Sequence, residues 1–458
     1  MLKAGLVGSG RFRRLFEKFD LNRAVMFALL TRACQAVSGV VSLILIAHFF
    51  RPEIQGYYYT FLSLVALQVF VELGLYLVIL SRASHEWSVL GMTESGSIVG
   101  DRRALSRLAS LAGFVAKWYA GASLLFAVGA GLAGHVFLSS TDSVDVAWKG
   151  PWWTATVVAA AQLWLMPFVS LLEGCNQVEE VNRFRFVQVV SEALAMWGLI
   201  AAGAALWVAA GSLAVRLSVT LWFLVGRYYR FFLTLAESAG QEKIRWRLEV
   251  WPMQWRLAVQ GVVNYFMFSL FNPIMFHYHG PTVAGQTGMT LQIINVAQGM
   301  GFAWVQTKVP RFGSLVAARD FAGLDRLWRN ASMLSFGFTV FGSLGIWAAV
   351  LILNASSLHL ASRMLEPLPT ALFLIAFAFL QVSSYQAAYL RAYAREPFLL
   401  VGVLGGISSG TLVFLLGSRF GPAGAAAAFA ATTALLVLPM STVIWMRRRR
   451  EWQSVAKE

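Results

Sequence analysis

Four short sets of polar side chains recur at helical spacing inside otherwise apolar sequence. Arg32, Gln35 and Ser42 form one set, and Gln68 and Glu72 a second. Arg256, Gln260 and Asn264 stand at i, i+4 and i+8, and Gln292, Asn295 and Gln298 form the fourth. Such spacings put the members of each set on one face of a helix. A guanidinium can hold a phosphate or pyrophosphate through parallel hydrogen bonds, so Arg32, Arg256 and the isolated Arg216 are suited to an anion. Glu72 is a candidate for a proton or coupling cation. No catalytic constellation accompanies them. The acids are few and scattered, no glycine-rich phosphate loop follows a strand, and no Ser/His/Asp set shares a loop face. No cofactor is expected, and His277 with His279 makes only a sparse metal pattern.

The elements that must position these residues are membrane helices. The chain is 58% hydrophobic and 13% charged, with a mean hydropathy of +0.64, against about 25% charged residues in soluble domains. Apolar runs fall at 24–49, 56–80, 112–138, 152–173, 186–208, 210–227, 250–274, 284–307, 329–353, 369–390, 397–417 and 421–446. Each approaches or exceeds the roughly 20 residues that cross a hydrocarbon core. None shows the period-two alternation of a membrane barrel. The expected fold is all-α and polytopic, with about 12 transmembrane helices. The boundary between spans five and six is blurred by Ala- and Gly-rich sequence.

The net charge of +15 follows topology. Loops on the side of the N-terminus hold 29 Lys or Arg, the opposite loops only Arg51, Lys149, Arg363 and Arg419. This bias places both termini in the cytoplasm and removes the case for nucleic acid as a partner. The tail Arg447–Arg450 reads as an anchor near anionic lipid. Tyr57–Tyr59 with Trp148, Trp152 and Trp153 outside, and Trp246, Trp251 and Trp255 inside, read as an interfacial belt. The stretch 81–111 reads as an amphipathic helix on the inner surface.

The chain is also duplicated. Pro52-x-x-x-Gly56 and Pro281-x-x-x-Gly285 lie 229 residues apart, each between two apolar runs. A second pair of anchors, Ala104-Leu-Ser-Arg107-Leu108 and Gly323-Leu-Asp-Arg326-Leu327, has an offset of 219, so the first half carries about ten extra residues, assigned to Gly91–Gly100. Two parallel six-helix repeats around a central cavity follow, with the substrate site between them. The expected organisation is an N-terminal segment (1–23), a first lobe (24–232), a cytoplasmic linker (233–248), a second lobe (249–446) and a basic tail (447–458). The polar sets sit on spans one, two, seven and eight, the openers of each half. Arg32 and Glu72 lie about 12 Å from the cytoplasmic ends of their helices, and Arg256 about 9 Å. A plainer reading has Arg32 paired with Glu72, and Arg256 snorkelling beside Trp255. The turns Pro52/Gly56 and Pro281/Gly285 become candidates for an outer gate.

The run Phe50-Arg-Pro-Glu-Ile-Gln-Gly-Tyr-Tyr-Tyr-Thr-Phe-Leu-Ser-Leu-Val-Ala-Leu-Gln-Val-Phe-Val-Glu-Leu-Gly-Leu75 resembles the opening of polysaccharide-biosynthesis oligosaccharide flippases. Asn272–Phe276, Gly280–Gly288 and Thr307–Leu315 are similar to later parts of the same proteins. These belong to the multidrug/oligosaccharidyl-lipid/polysaccharide exporter superfamily. The resemblance implies a V-shaped pair of six-helix lobes around a cavity lined by spans one, two, seven and eight. It further implies transfer of a polyprenyl-diphosphate-linked oligosaccharide across a bacterial inner membrane for surface polysaccharide such as O-antigen. The implied partners are that lipid-linked oligosaccharide, membrane lipids, and the glycan polymerase with other assembly proteins. Two alternatives stay open, a cation-coupled multidrug exporter of the same superfamily and a membrane glycan polymerase or ligase. The latter calls for a sizeable outer loop, and the outer loops near 139–150 and 354–368 are short.

Overall fold

The computed structural model describes residues 23–140, 146–238, 240, 242, 244–356, 360–393 and 395–455. The N-terminal segment therefore lies outside the described residues, apart from Arg23. In the first half, α1 (Arg23–Phe49) is followed by α2 (Pro52–Val65), a 3₁₀ turn and the short α3 (Val69–Glu72). Proline opens α2 where a missing N–H costs nothing. The span then breaks at Leu73 and Gly74, both left-handed (φ 53° and 64°), before α4 (Leu75–Trp87) completes it. A β-hairpin follows, with β1 (Leu90–Met92) antiparallel to β2 (Ile98–Gly100) and Gly91 opposite Val99. The half continues with α5 (Arg102–Ser139), α6 (Lys149–Gly174), α7 (Val178–Ala201) and α8 (Trp207–Leu221). A π-turn then leads into α9 (Tyr228–Glu237), so the last helix of the lobe extends to 237.

The second half starts from the short α10 (Trp246–Glu249). It repeats the plan with α11 (Trp251–Phe268), α12 (Phe271–His279), α13 (Pro281–Gln306), α14 (Val309–Ala317) and α15 (Phe321–Ala355). It ends with α16 (Pro367–Arg391), α17 (Leu399–Thr432) and, after a π-turn, α18 (Leu438–Val455). Asp101 and Asp320, 219 residues apart, cap α5 and α15 identically, each accepting the backbone N–H three residues on at 2.8 Å. The cap thus gives the second sequence anchor a physical reason. The hairpin falls on the extra residues assigned to the first half.

Among the described residues, nine helical stretches are long and apolar enough to cross a membrane, and the bent pair α11–α12 (41°) makes a tenth. Two more crossings escape that count for physical reasons. Leu399–Gln453 is a single apolar stretch that turns back at Gly421 (φ 63°, ψ −149°), laying Gly405 against Val437. Helix α13 spans 26 residues, but Gln286, Gln292, Asn295, Gln298 and Gln306 dilute its apolar character. The result is the expected arrangement of twelve spans. The blurred boundary resolves into a turn after Ala201, where Gly203 and Ala205 take left-handed conformations.

Two local readings are corrected. Residues 81–111 do not form one surface helix, because the hairpin separates the end of α4 from the start of α5. Tyr57, Tyr58, Tyr59, Trp148 and Trp152 are buried, not interfacial. Tyr57 packs edge-on against Phe276, and Trp152 donates to the Gly131 carbonyl at 3.0 Å. These rings fill the junction between helices, where close packing rather than transfer from water holds a membrane bundle together. One apolar cluster joins both lobes and contains Ile46, Tyr57, Phe61, Trp152, Phe276 and Ala284 from the outer end. The other two belong to the first lobe, with Val250 added, and to the inner end of the second. The lobes therefore share packing at the outer side. Further in, α11 leans on α3 and α4, with Leu257 against Gly74 and Gly261 against Val69.

Candidate functional site

The repeated Pro-x-x-x-Gly turns meet each other. Helices α2 and α13 start at the outer surface and cross so closely that Gly56 lies on the Pro281 carbonyl. A side chain at Gly285 would stand 2.9 Å from the Gly56 nitrogen and 3.1 Å from the Pro52 oxygen. One turn deeper, Tyr59 covers Gly288. Gln55 is 1% exposed and donates from Nε2 to the Gly285 oxygen at 2.8 Å and the Arg363 oxygen at 3.2 Å. The crossing thus closes the outer side with backbone contact, and one amide ties it to the loop before α16.

Below this seal lies a cavity of about 730 Å³. It is built almost wholly from the first lobe, by α1, α2, α6, α7 and α8, and Gln292 of α13 is its one contribution from the second lobe. Three arginines line it: Arg32, Arg185 and Arg216. Glu192 is the one carboxylate on the wall. Arg32 makes no ion pair or side-chain hydrogen bond among the described residues. Arg216 stands 3.9 Å from Glu192. Arg185 is gripped at two points by Glu173, at 2.6 and 3.1 Å.

Supporting contacts hold these helices in register. Trp197 donates to Ser42 at 2.9 Å and Asn182 to the Ala24 carbonyl at 3.2 Å, both joining α1 to α7. Gln188 donates to Thr220 at 2.9 Å, and the Thr220 hydroxyl contacts Gln162 at 3.2 Å, linking α6, α7 and α8 behind Arg216. Tyr58, Leu43, Ile46 and Met196 close the outer end of the cavity. The result is a one-lobed, cationic chamber with amides on its walls.

Of the residues singled out in the sequence, Arg32, Gln35 and Arg216 come together here, with Ser42 and Gln292. Gln68, Glu72, Arg256, Gln260, Asn264 and Asn295 do not line this cavity. Glu72 closes α3 at the break that faces α11, so the Arg32–Glu72 pair does not form among the described residues. Arg256 is exposed and stacks over Trp255 at 5.6 Å, the snorkelling geometry. Asn264 and Asn295 are exposed, while Gln68 and Gln260 are part-buried. This cavity is lined by spans one, two, four, five, six and, through Gln292, eight, where the expectation named spans one, two, seven and eight. Helix α11 spends its face packing on α3 and α17, while α1 pairs mainly with α7 and meets the second lobe along α13, where Gly39 lies against Val296.

Arg185 and Glu192, which were not among the expected site residues, also line the cavity, Glu192 having read as a helix-pairing residue near a span end. Arg185 read as a loop arginine because α7 begins at Val178 rather than 186, which places it about 10 Å along the helix. Arg185, Gln188, Glu192 and Met196 form a helical stripe at i, i+3, i+7 and i+11. That periodicity was the available signal.

Solved structures share this two-lobed helical fold. A lipid II flippase, MurJ, in an inward closed conformation aligns with a TM-score of 0.65 at 12% identity, covering 94% of this chain and 90% of that one. An inward-facing multidrug resistance MATE family transporter of the MOP superfamily aligns at 0.62 and 11% identity, over 93% and 99% of the two chains. The MATE multidrug transporter DinF-BH aligns at 0.56 and 16% identity, over 93% and 94%. At these identities the likeness establishes the fold. No protein-family model and no curated protein sequence matches the chain.

Proposed function

We propose that this protein moves a lipid-linked anionic headgroup across a bacterial inner membrane, the headgroup being the diphosphate of a polyprenyl-linked oligosaccharide destined for surface polysaccharide. One observation carries the reading: three arginines face a single membrane cavity whose wall holds one carboxylate, Glu192, with Glu173 behind Arg185. Charges at membrane depth are costly and persist where they serve a partner. Guanidinium forks match phosphate oxygens in geometry and charge. The volume lies within the range of small-molecule sites. The likeness to a flippase of a lipid-linked precursor supports the same reading. Transfer would run by alternating access, with Arg32 and Arg216 holding the diphosphate while the α2–α13 crossing stays shut, and opening of that crossing then presenting the cargo outside. A glycan polymerase and other assembly proteins are the partners this reading implies.

The likeness to multidrug transporters favours a second reading, export of drugs. The three arginines disfavour cationic cargo. The test is complementation in a strain lacking the gene. The wild-type chain restores surface glycan without raising drug resistance, and the Arg32→Ala/Arg216→Ala variant does neither while remaining in the membrane. Full restoration of glycan by that variant overturns the proposal, and drug resistance conferred by the wild-type chain without glycan restoration selects the exporter.

A further inference from the structure

The three cavity arginines differ in how firmly they are held, and the difference is graded. Arg185 is locked by the two-point bond from Glu173. Arg32 has no acidic partner among the described residues. Arg216 falls between them. Its nearest carboxylate is Glu192 at 3.9 Å. Among the described residues that carboxylate makes no hydrogen bond, and the buried Nε of Arg216 has no acceptor. Other pairs that fasten one helix to another are closer and hydrogen-bonded: Arg107–Glu86 at 2.8 Å, Arg107–Glu249 at 2.7 Å and Arg449–Asp325 at 2.5 Å. Arg216–Glu192 is therefore not built as a fastener.

Position explains what it is built for. Glu192 and Arg216 both line the cavity, so the space that a cargo would fill touches both partners. Facing them are Arg32 from α1, Arg185 from α7, and Glu173 from α6 behind Arg185. With Arg185 compensated by Glu173, an empty chamber in which Arg32 and Arg216 both lacked a counter-charge would be unfavourable at this depth. One carboxylate offsets part of that charge. Held loosely, it leaves the guanidinium fork open to a better-matched anion.

Resting on the proposed anionic cargo, we infer that Glu192 is a built-in counter-anion that competes with the cargo's phosphate for Arg216. It keeps Arg216 oriented into the empty cavity, yields it when phosphate arrives, and reclaims it as the cargo leaves. Affinity is thereby held down so that release can occur. A carrier that bound its anion with Arg32 and Arg216 both unopposed would load well and unload slowly.

The experiment measures inorganic pyrophosphate binding to the purified full-length protein, alongside glycan transfer. Glu192→Gln is expected to tighten binding about tenfold, through the freed guanidinium and the removed like charge together, while lowering the turnover of transfer. Glu192→Asp withdraws the carboxylate by one methylene and moves affinity in the same direction by less. Glu180→Gln removes a carboxylate that is ion-paired with Arg227 at 2.7 Å and does not line the cavity, and it leaves affinity unchanged. In the Arg216→Ala background, Glu192→Gln gains little. If the wild type binds pyrophosphate and Glu192→Gln binds it no tighter, the competition is refuted while the anionic-cargo reading stands. If Glu180→Gln tightens binding equally, the effect is one of net charge and the inference also falls. If neither wild type nor Glu192→Gln binds pyrophosphate, both the inference and the anionic cargo are overturned.

Discussion

A single methyl group at Gly56 should open the α2–α13 crossing. A Cβ at Gly56 would overlap the Pro281 carbonyl group and stand 2.9 Å from the Pro281 Cα. Ordinary contacts of this kind need about 3.3–3.6 Å, so the helices must separate by roughly 1 Å or more. Both neighbours are backbone, so no rotamer change relieves the clash. Overpacking of this sort costs about 1–3 kcal/mol, and the cost applies only while the crossing is closed. The ratio of open to closed outer gate should then rise about 5- to 150-fold in Gly56→Ala. Gly285→Ala, meeting its neighbours at 2.9 and 3.1 Å, should fall at the low end of that range. Gly129→Ala, with nothing within 4 Å, should do nothing. The assay uses Leu43→Cys as a reporter, a residue that lines the cavity and is 7% exposed, in a chain whose Cys34 and Cys175 have been replaced. An impermeant thiol reagent is added from outside. Gly56→Ala should accelerate labelling, Gly285→Ala less so, and Gly129→Ala not at all. If Gly56→Ala folds with an unchanged melting temperature and labels at the control rate, the crossing is a structural joint and the gating argument is wrong.

Removing cavity charge should be graded as the pairing is. Arg32→Ala or Arg216→Ala should weaken pyrophosphate binding about 10- to 150-fold, the worth of a charged hydrogen bond, read by titration calorimetry. At the inner face, Glu249 accepts the Arg245 backbone N–H at 2.9 Å and is bonded by Arg107 at 2.7 Å. The backbone hydrogen bond first, with Arg107 adding to it, holds its carboxyl below the ordinary value of 4.5. Its folded pKa lies under its unfolded one, so its contribution is complete above pH 4.5 and is lost as pH falls through the folded value. Wild-type melting temperature should decline across that acid window more steeply than that of Glu249→Gln. The two capping aspartates should behave as equivalents. Asp101→Ala and Asp320→Ala should each cost about 1 kcal/mol, seen as faster hydrogen exchange in the first turn of α5 and of α15 respectively.

The architecture was legible because hydropathy and charge report directly on the membrane. Twelve runs, a basic inner side and two repeated motifs carry the count, the orientation and the duplication without any knowledge of contacts. The site was legible only in part. Arg32 and Gln35 stand out because they interrupt an apolar run early, and Arg216 because it is alone. Arg185 did not stand out, since a cytoplasmic extension of α7 looks like a polar loop until the helix start is known. Tyr57–Tyr59 misled in the opposite direction. Aromatics at a span end suit an interface equally well whether they face headgroups or a neighbouring helix, and only the packing of α2 on α12 and α13 decides between them. On α11 and α13 helical spacing shows that the polar residues share a face, not what that face meets, and Gln292 alone of them lines the cavity.

The repeat and the cavity are distributed differently between the lobes. The element that uses the repeat is the crossing, where the same Pro-x-x-x-Gly turn from each half packs against its copy and symmetry lets one motif serve both sides of a seal. The site does not use the repeat. The 229-residue offset pairs Gln35 with Asn264, but it pairs Arg32 with Gly261, which is packed against Val69 of the first lobe. Where the first lobe has a charge facing space, the second has a glycine that lets α11 close on its neighbour. A second arginine there would fill the contact that joins α11 to α3. Charge at that position and lobe contact at that position are therefore mutually exclusive, and the chain places one in each half. Introducing arginine at Gly261 should loosen the lobes at their inner end without creating a second anion site, and an additional equivalent of bound pyrophosphate in Gly261→Arg would show this division to be accidental.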